Sequence, residues 1–251
     1  MKKEKFMNCL HFENDEAKKD ANFYLDTKGV AIHLRIAQHL GYAIDDEAKK
    51  IDWLRVSSLL RYDKKLRDKI YIYLATLEEY IRAYISNTYE DEPKQGFWIK
   101  KKEAKHKDHI FEKVGTGEKV STVLEGIDFG KLIEQVMALP SKDKIELFGQ
   151  QTELDKNLDA VRKLRNAVSH HAFLRGYEFS ECMVDEKLGN SLEHNIKNLR
   201  QLLPESYRYG KNGSGGITAD IEKCRFEYIG QNEKKTKQEM LLTDKDIVKL
   251  Q

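Results

Sequence analysis

Proline occurs only 3 times and cysteine only 3 times in 251 residues, and no stretch is apolar for the roughly 18 residues a membrane span needs. Each scarcity excludes something. Few prolines mean few obligatory helix breaks, and with Leu, Lys, Glu, Ile and Ala abundant the expected fold class is all-α. Cys9, Cys182 and Cys224 are odd in number, far apart and outside any C-x-x-C spacing, which argues against a disulfide framework and a zinc ribbon. A reducing, cytoplasmic setting is expected. Met1-Lys2-Lys3-Glu4-Lys5 leads into mixed polar sequence, so neither secretion nor a membrane partner is expected. Charge of one sign is also missing: the formal net charge is +2, so any grip on nucleic acid must come from local clusters.

What is present is helix. Charged residues make up 34% and hydrophobic ones 40%, enough for one main core with a small appendage. Ile32, Ile36 and Leu40 recur every fourth residue in a helix predicted from Asp15 to about Tyr42, with Gly29 as a candidate split and Gly41 at its close. A second helix is predicted from Asp46 to about Leu60. A third runs from Asp63 to about Tyr89, where Leu66, Ile70, Leu74, Leu77, Ile81 and Ile85 form a wide apolar stripe, and Pro93 stops it. Val120 to Leu139 reads as helix interrupted near Gly126 and Gly130, followed by a short helix capped by Ser141 that ends at Gly149. Another helix runs from near Ser191 to Leu203. Beyond Pro204, Cys224, Phe226 and Tyr228 alternate with charged residues and predict a short strand pairing with Met240 to Leu242. The expected organisation is a helical domain over residues 1–203 and a C-terminal extension, with this small β-hairpin, over residues 204–251.

The chemistry concentrates between Glu153 and Phe173. Leu158, Val161, Leu164, Val168 and Ala172 fall on one face of the predicted helix, and Arg162, Arg165, Asn166, Ser169 and His170 on the other. Residues five apart on a helix are offset by about 140° and about 7.5 Å, so Arg165 and His170 are not stacked, but Asn166 and His170 share a face. A long guanidinium can swing towards them. A permanent cation beside an imidazole suits phosphoryl transfer on RNA, because the substrate brings its own nucleophile and the protein stabilises charge and moves protons. His171 lies nearer the apolar side and reads first as a packing histidine, with a second proton carrier as the alternative. Lys100, Lys101, Lys102 and Lys105 form the strongest basic run, readable as an RNA contact or as a solvated helix face. His106 and His109 have an H-x-x-H spacing with no third ligand in a recognised motif, and no glycine-rich phosphate loop is visible. No metal or cofactor is expected.

Arg165, Asn166 and His170 match the arginine, polar residue and histidine signature of the HEPN superfamily of ribonucleases, and the chain resembles its Abi-like, abortive-infection branch over roughly Asp20 to Leu203. Arg61-Tyr62-Asp63-Lys64-Lys65-Leu66-Arg67 is similar to that branch's aspartate-x-lysine-leucine-arginine stretch, and Leu77-Glu78-Glu79-Tyr80-Ile81-Arg82 to its glutamate-to-arginine helix. Phe97-Trp98 and Phe129-Gly130 fall where it carries similar signposts. Glu78 and Arg82, four apart, are also expected to form a salt bridge.

The resemblance implies an α-helical bundle that dimerises so that two motifs share a cleft, and metal-independent cleavage of RNA. The 2′-hydroxyl would attack its own phosphorus, leaving a 2′,3′-cyclic phosphate and a 5′-hydroxyl. Arg165 would hold the phosphorane oxygens, His170 would act as general base or acid, and Asn166 would orient either one; Arg162, Ser169 and His171 are accessory candidates. The implied biology is a toxin of antiviral defence, held by a non-coding RNA or a protein antitoxin. Some HEPN toxins are silenced by adenylylation of a tyrosine two residues beyond the motif histidine, but that position here is Ala172. The alternative is a catalytically silent HEPN module that binds RNA or a protein partner.

Overall fold

Where apolar residues recur at helical spacing the chain coils, and where a glycine or a capping side chain interrupts them it turns. The computed structural model describes residues 1–43, 50–90, 119–210, 215–228, 242–243 and 245–250. Eleven α-helices and four short strands are present among them: α1 (Lys3–Cys9), β1 (Leu10–His11), α2 (Asp15–Lys28), α3 (Val30–His39), β2 (Ile51–Asp52), α4 (Trp53–Tyr89), α5 (Val120–Glu125), α6 (Phe129–Ala138), α7 (Ser141–Phe148), α8 (Leu154–Ser169), β3 (Cys182–Val184), β4 (Lys187–Gly189), α9 (Leu192–Leu202), α10 (Glu205–Tyr209) and α11 (Gly216–Phe226). The class is all-α, as expected.

Gly29 divides the first helical stretch, its φ of +84° ending α2 and opening α3. Asn14 caps α2 by accepting from Ala17 N at 2.8 Å. The predicted break between Leu60 and Asp63 does not exist: α4 runs unbroken for 37 residues, because neither glycine nor proline stands there. It begins at Trp53, where Asp52 accepts from Leu54 N at 2.9 Å. Residues 44–49, including the predicted start at Asp46, lie outside the described residues, as do Pro93 and Phe97-Trp98. Gly126 ends α5 as predicted. Gly130, by contrast, sits inside the first turn of α6, because Asp128 caps that helix by accepting from Lys131 N at 2.9 Å. Ser141 is the first residue of α7 and makes no cap; Pro140 precedes it.

The chain divides into two compact units, each built from separated segments. The first comprises Met1–Ile70, Ala167–Glu178 and Ile217–Gln251. Its buried side chains include Phe6, Ile36, Trp53, Leu59, Tyr62 and Leu66. Strands β1 and β2 pair in parallel with Leu10 opposite Ile51. Its C-terminal residues are tied in by polar contacts: Val248 N donates to the Tyr62 hydroxyl at 2.9 Å, Leu250 N to Glu222 Oε1 at 3.1 Å, and Arg55 pairs with Asp246 at 3.1 Å. The expected strand at Cys224 and Phe226 is helix instead. Ile217, Ile221 and Cys224 bury one face of α11 at helical spacing, and that burial overrides the short alternation that predicted a strand. Met240 lies outside the described residues, and Leu242 is not in a strand.

The second unit comprises Tyr71–Asn166 and Phe179–Gly216. Leu77, Ile81, Val120, Phe129, Leu158, Val161, Ile196 and Leu199 are among its buried residues. It holds an unpredicted antiparallel hairpin, β3 with β4, in which Val184 opposes Lys187. Asp185 and Glu186 turn it with φ of +50° and +61°, values usually supplied by Asn-Gly, so no hairpin signal is visible in the residues. Ser191 caps α9, accepting from His194 N at 3.1 Å.

Candidate active site

The motif helix α8 is amphipathic as its spacing predicts. Leu158, Val161, Leu164 and Val168 are buried, Arg162, Asn166 and His170 are exposed, and Arg165 and Ser169 are half-buried. Its first turn is anchored in the second unit by Asn157, fully buried, whose amide oxygen accepts from Met183 N at 2.7 Å and whose carbonyl accepts from Asn198 Nδ2 at 2.8 Å. Buried polar groups with this many partners fix register. Arg165 and Asn166 therefore ride on a firmly held helix. Among the described residues, neither side chain makes a hydrogen bond or an ion pair. Arg162 differs: it pairs with Asp159 one turn earlier, so its charge is already engaged.

Ala167 to Glu178 belong to the first unit, and with them His170 and His171. The helix ends in a double-hydrogen-bonded turn: Ala172 N donates to Ala167 O at 2.9 Å and His171 N to Val168 O at 3.2 Å. That geometry puts His171 at φ +55°, a left-handed conformation normally taken by glycine. His171 is exposed, against the packing role expected of it. The packing histidine of this unit is His33, fully buried, stacked on Trp53 at 5.3 Å and 2.7 Å from Gly29 O, with burial pushing its pKa down.

The sequence missed what holds this turn. Arg67 Nη1 donates to His171 O at 3.2 Å and to Ala172 O at 2.7 Å, and pairs with Asp63 Oδ2 at 2.6 Å. The other Asp63 oxygen accepts from Leu174 N at 2.8 Å. Asp63 is fully buried, and loss of water pushes its pKa up to about 6, opposed by the Arg67 charge and the backbone amides of Leu174 and Arg175. The available signal was an Asp and an Arg four apart on an apolar helix face beside Tyr62 and Leu66, a pattern that often marks a buried pair. Glu78 and Arg82 form the expected salt bridge at 2.7 Å, and Arg82 also donates to Leu124 O at 3.0 Å and Ile127 O at 2.9 Å.

Ser169 has a buried hydroxyl without a hydrogen-bond partner among the described residues. Lys100, Lys101, Lys102, Lys105, His106 and His109 lie outside the described residues. Among the described residues, no three His, Cys, Asp or Glu side chains gather as metal ligands and no helix is long and apolar enough to cross a membrane. Cys182 and Cys224 are buried free thiols whose pKa burial pushes up to about 12, which leaves them unreactive. Compared with protein-family models, with curated proteins and with solved structures, the chain matches none.

Proposed function

We propose that this protein is a metal-independent endoribonuclease of the Abi-like HEPN type, acting as a homodimer and as a growth-arresting toxin in defence against phage. The observation that carries the reading is Arg165, a half-buried permanent cation on a firmly anchored helix with no internal partner among the described residues. A guanidinium left unpaired in a partly dry position binds a phosphate more strongly than one in open water, and its fork fits two non-bridging oxygens. Asn166 and His170, exposed and likewise without side-chain partners among the described residues, supply an amide and a proton carrier within the next turn and a half of the chain.

In this mechanism His170 takes the proton from a ribose 2′-hydroxyl or gives one to the 5′-oxygen that leaves. Arg165 stabilises the charge that accumulates on the phosphorane between those steps. Asn166 fixes the phosphate or the imidazole. DNA lacks the attacking hydroxyl and resists cleavage.

The test is incubation of end-labelled RNA with the protein in EDTA beside an Arg165→Ala, His170→Ala variant. Wild type is expected to yield 2′,3′-cyclic phosphate and 5′-hydroxyl ends, and the variant to be slower by about 100-fold or more, the scale of a lost acid–base group. Equal RNA binding by both proteins with cleavage by neither makes the protein a silent binding module instead.

A further inference from the structure

The exposed His171 imidazole lines a cavity of about 560 Å³ in the first unit, a size within the ordinary range for small-molecule sites. One wall is a stripe of α4, with Leu60, Arg61 and Lys64 at helical spacing; the other is the last turn of α2, with Tyr24 and Lys28, and Ile32 of α3. Lys28 and Lys64 have no partner among the described residues, and Arg61 makes only a 3.4 Å bond to the Ser58 hydroxyl. Asp68 is the single carboxylate in the lining, and the Arg67 charge is balanced by Asp63. The cavity is therefore cationic, with a half-buried apolar side made by Leu60, Ile32 and Tyr24. Helix-end carbonyls that would repel an anion are already occupied: Leu25 O accepts from Gly29 N at 3.2 Å, and His171 O and Ala172 O accept from Arg67.

We infer that this cavity is a subsite for one nucleotide of single-stranded RNA, with the phosphate held by Lys28, Arg61 and Lys64 and the base laid against Tyr24, Ile32 and Leu60. The choice of RNA rests on the nuclease reading above; the choice of a nucleotide rests on the cavity. A cationic wall facing an apolar one matches a phosphate and a base, the combination that single-strand binders use. The covalent step from His170 to His171 ties the two places together. The proton carrier and the cavity are consecutive residues of one clamped turn, so a strand seated in the cavity has its neighbouring phosphate next to His170. This also accounts for a histidine in a left-handed position where glycine would be easier.

Binding is measured on the full chain carrying His170→Ala, which prevents turnover, by anisotropy of a fluorescein-labelled hexaribonucleotide. Lys28→Glu with Lys64→Glu is expected to raise Kd about tenfold or more at low salt, and to reduce the slope of log K against log salt by about 0.7, one phosphate contact's worth for a single strand. Lys142→Glu, an exposed lysine of the second unit, is the control and leaves Kd unchanged. Tyr24→Ala is expected to weaken AMP about fivefold while leaving inorganic phosphate unaffected. Equal losses from Lys142→Glu, or AMP binding indifferent to Tyr24, overturn the subsite. Cleavage by wild type with a KM that ignores Lys28 and Lys64 overturns it too and leaves the nuclease standing. Cavity-dependent binding with no cleavage by wild type does the reverse.

Discussion

Helix α4 carries the same device twice, and the two copies behave differently. Asp63 with Arg67 and Glu78 with Arg82 are both acid–arginine pairs four residues apart, and each arginine goes on to hold two backbone carbonyls of a turn. The difference is water. Side chains of the first pair are 0% and 9% exposed, and those of the second 20% and 22%. A dry pair has strong mutual attraction but a large desolvation cost, so removing one member strands a charge; a partly wet pair lets solvent fill in. The dry clamp holds the turn of His170 and His171, and the wetter one holds only the turn joining α5 to α6. Rigidity has been concentrated where the proposed chemistry needs placement.

Arg67→Ala should show the largest effect. It leaves Asp63 and the carbonyls of His171 and Ala172 without their donor, and a loss of about 3–5 kcal/mol is expected from urea unfolding. Arg82→Ala should cost about 1–3 kcal/mol, the range for hydrogen bonds to a charged donor. Comparable losses from the two variants would remove burial as the explanation.

Acidity sharpens the contrast. The folded pKa of Asp63, about 6, lies above its ordinary value of 3.8, so the protonated carboxyl is the better-buried form. Its contribution to stability is full below about pH 4 and is lost as pH rises to about 6, a fall of ~3 kcal/mol at 1.36 kcal/mol per unit. Asp63→Asn, which keeps an acceptor for Leu174 N, should erase that part of the slope. Asp246 works in the opposite direction. Its pKa is lowered by the Thr243 amide and hydroxyl and by Arg55, against the burial that would raise it, so its contribution holds above the ordinary aspartate range and fades in acid. The comparison of stability curves for wild type and Asp63→Asn between pH 4 and pH 7 isolates the first effect from the second. A wild-type slope that survives Asp63→Asn would place the titration elsewhere.

Much of this was legible in the sequence because helix and strand periods are local. Leu158, Val161, Leu164 and Val168 announced the buried face of α8, and Gly29, Gly126 and Ser191 announced boundaries. The misses share a cause in tertiary context. At Cys224 and Phe226 a short alternation looked like strand until Ile217 and Ile221 supplied a helical core face. Between β3 and β4 a turn formed without glycine or asparagine. For the site, Arg165, Asn166 and His170 were named from spacing, but the Arg67 bonds to the carbonyls of His171 and Ala172 span more than 100 positions of chain, and no local pattern carries that. The cavity beside His171 was invisible for the same reason, being assembled from α2, α3, α4 and the turn after α8.

The smallest predicted effects come from the two clamped turns themselves, which hold residues opposite to those their backbones prefer. His171 sits at φ +55°, where a Cβ costs about 1–2 kcal/mol, less for histidine than for branched residues. Gly126 sits at φ −83°, where any residue fits, and a Cβ there would meet only Val123 O at an ordinary 3.6 Å. Gly126→Ala should therefore gain about 0.4–1 kcal/mol by restricting the unfolded chain. His171→Gly should gain about 0.5 kcal/mol, strain relief less the entropy of the new glycine, and raise Tm by about 1–2 °C for a chain of this size. The two changes part company in function: Gly126→Ala should leave RNA binding untouched, whereas His171→Gly removes a side chain from the cavity and should weaken it. A variant at 171 that is both more stable and worse at holding RNA is the signature of a strained residue kept for its contact with substrate. One that is less stable, with binding intact, would make the imidazole a structural part of the turn and leave the Arg67 clamp without a functional purpose.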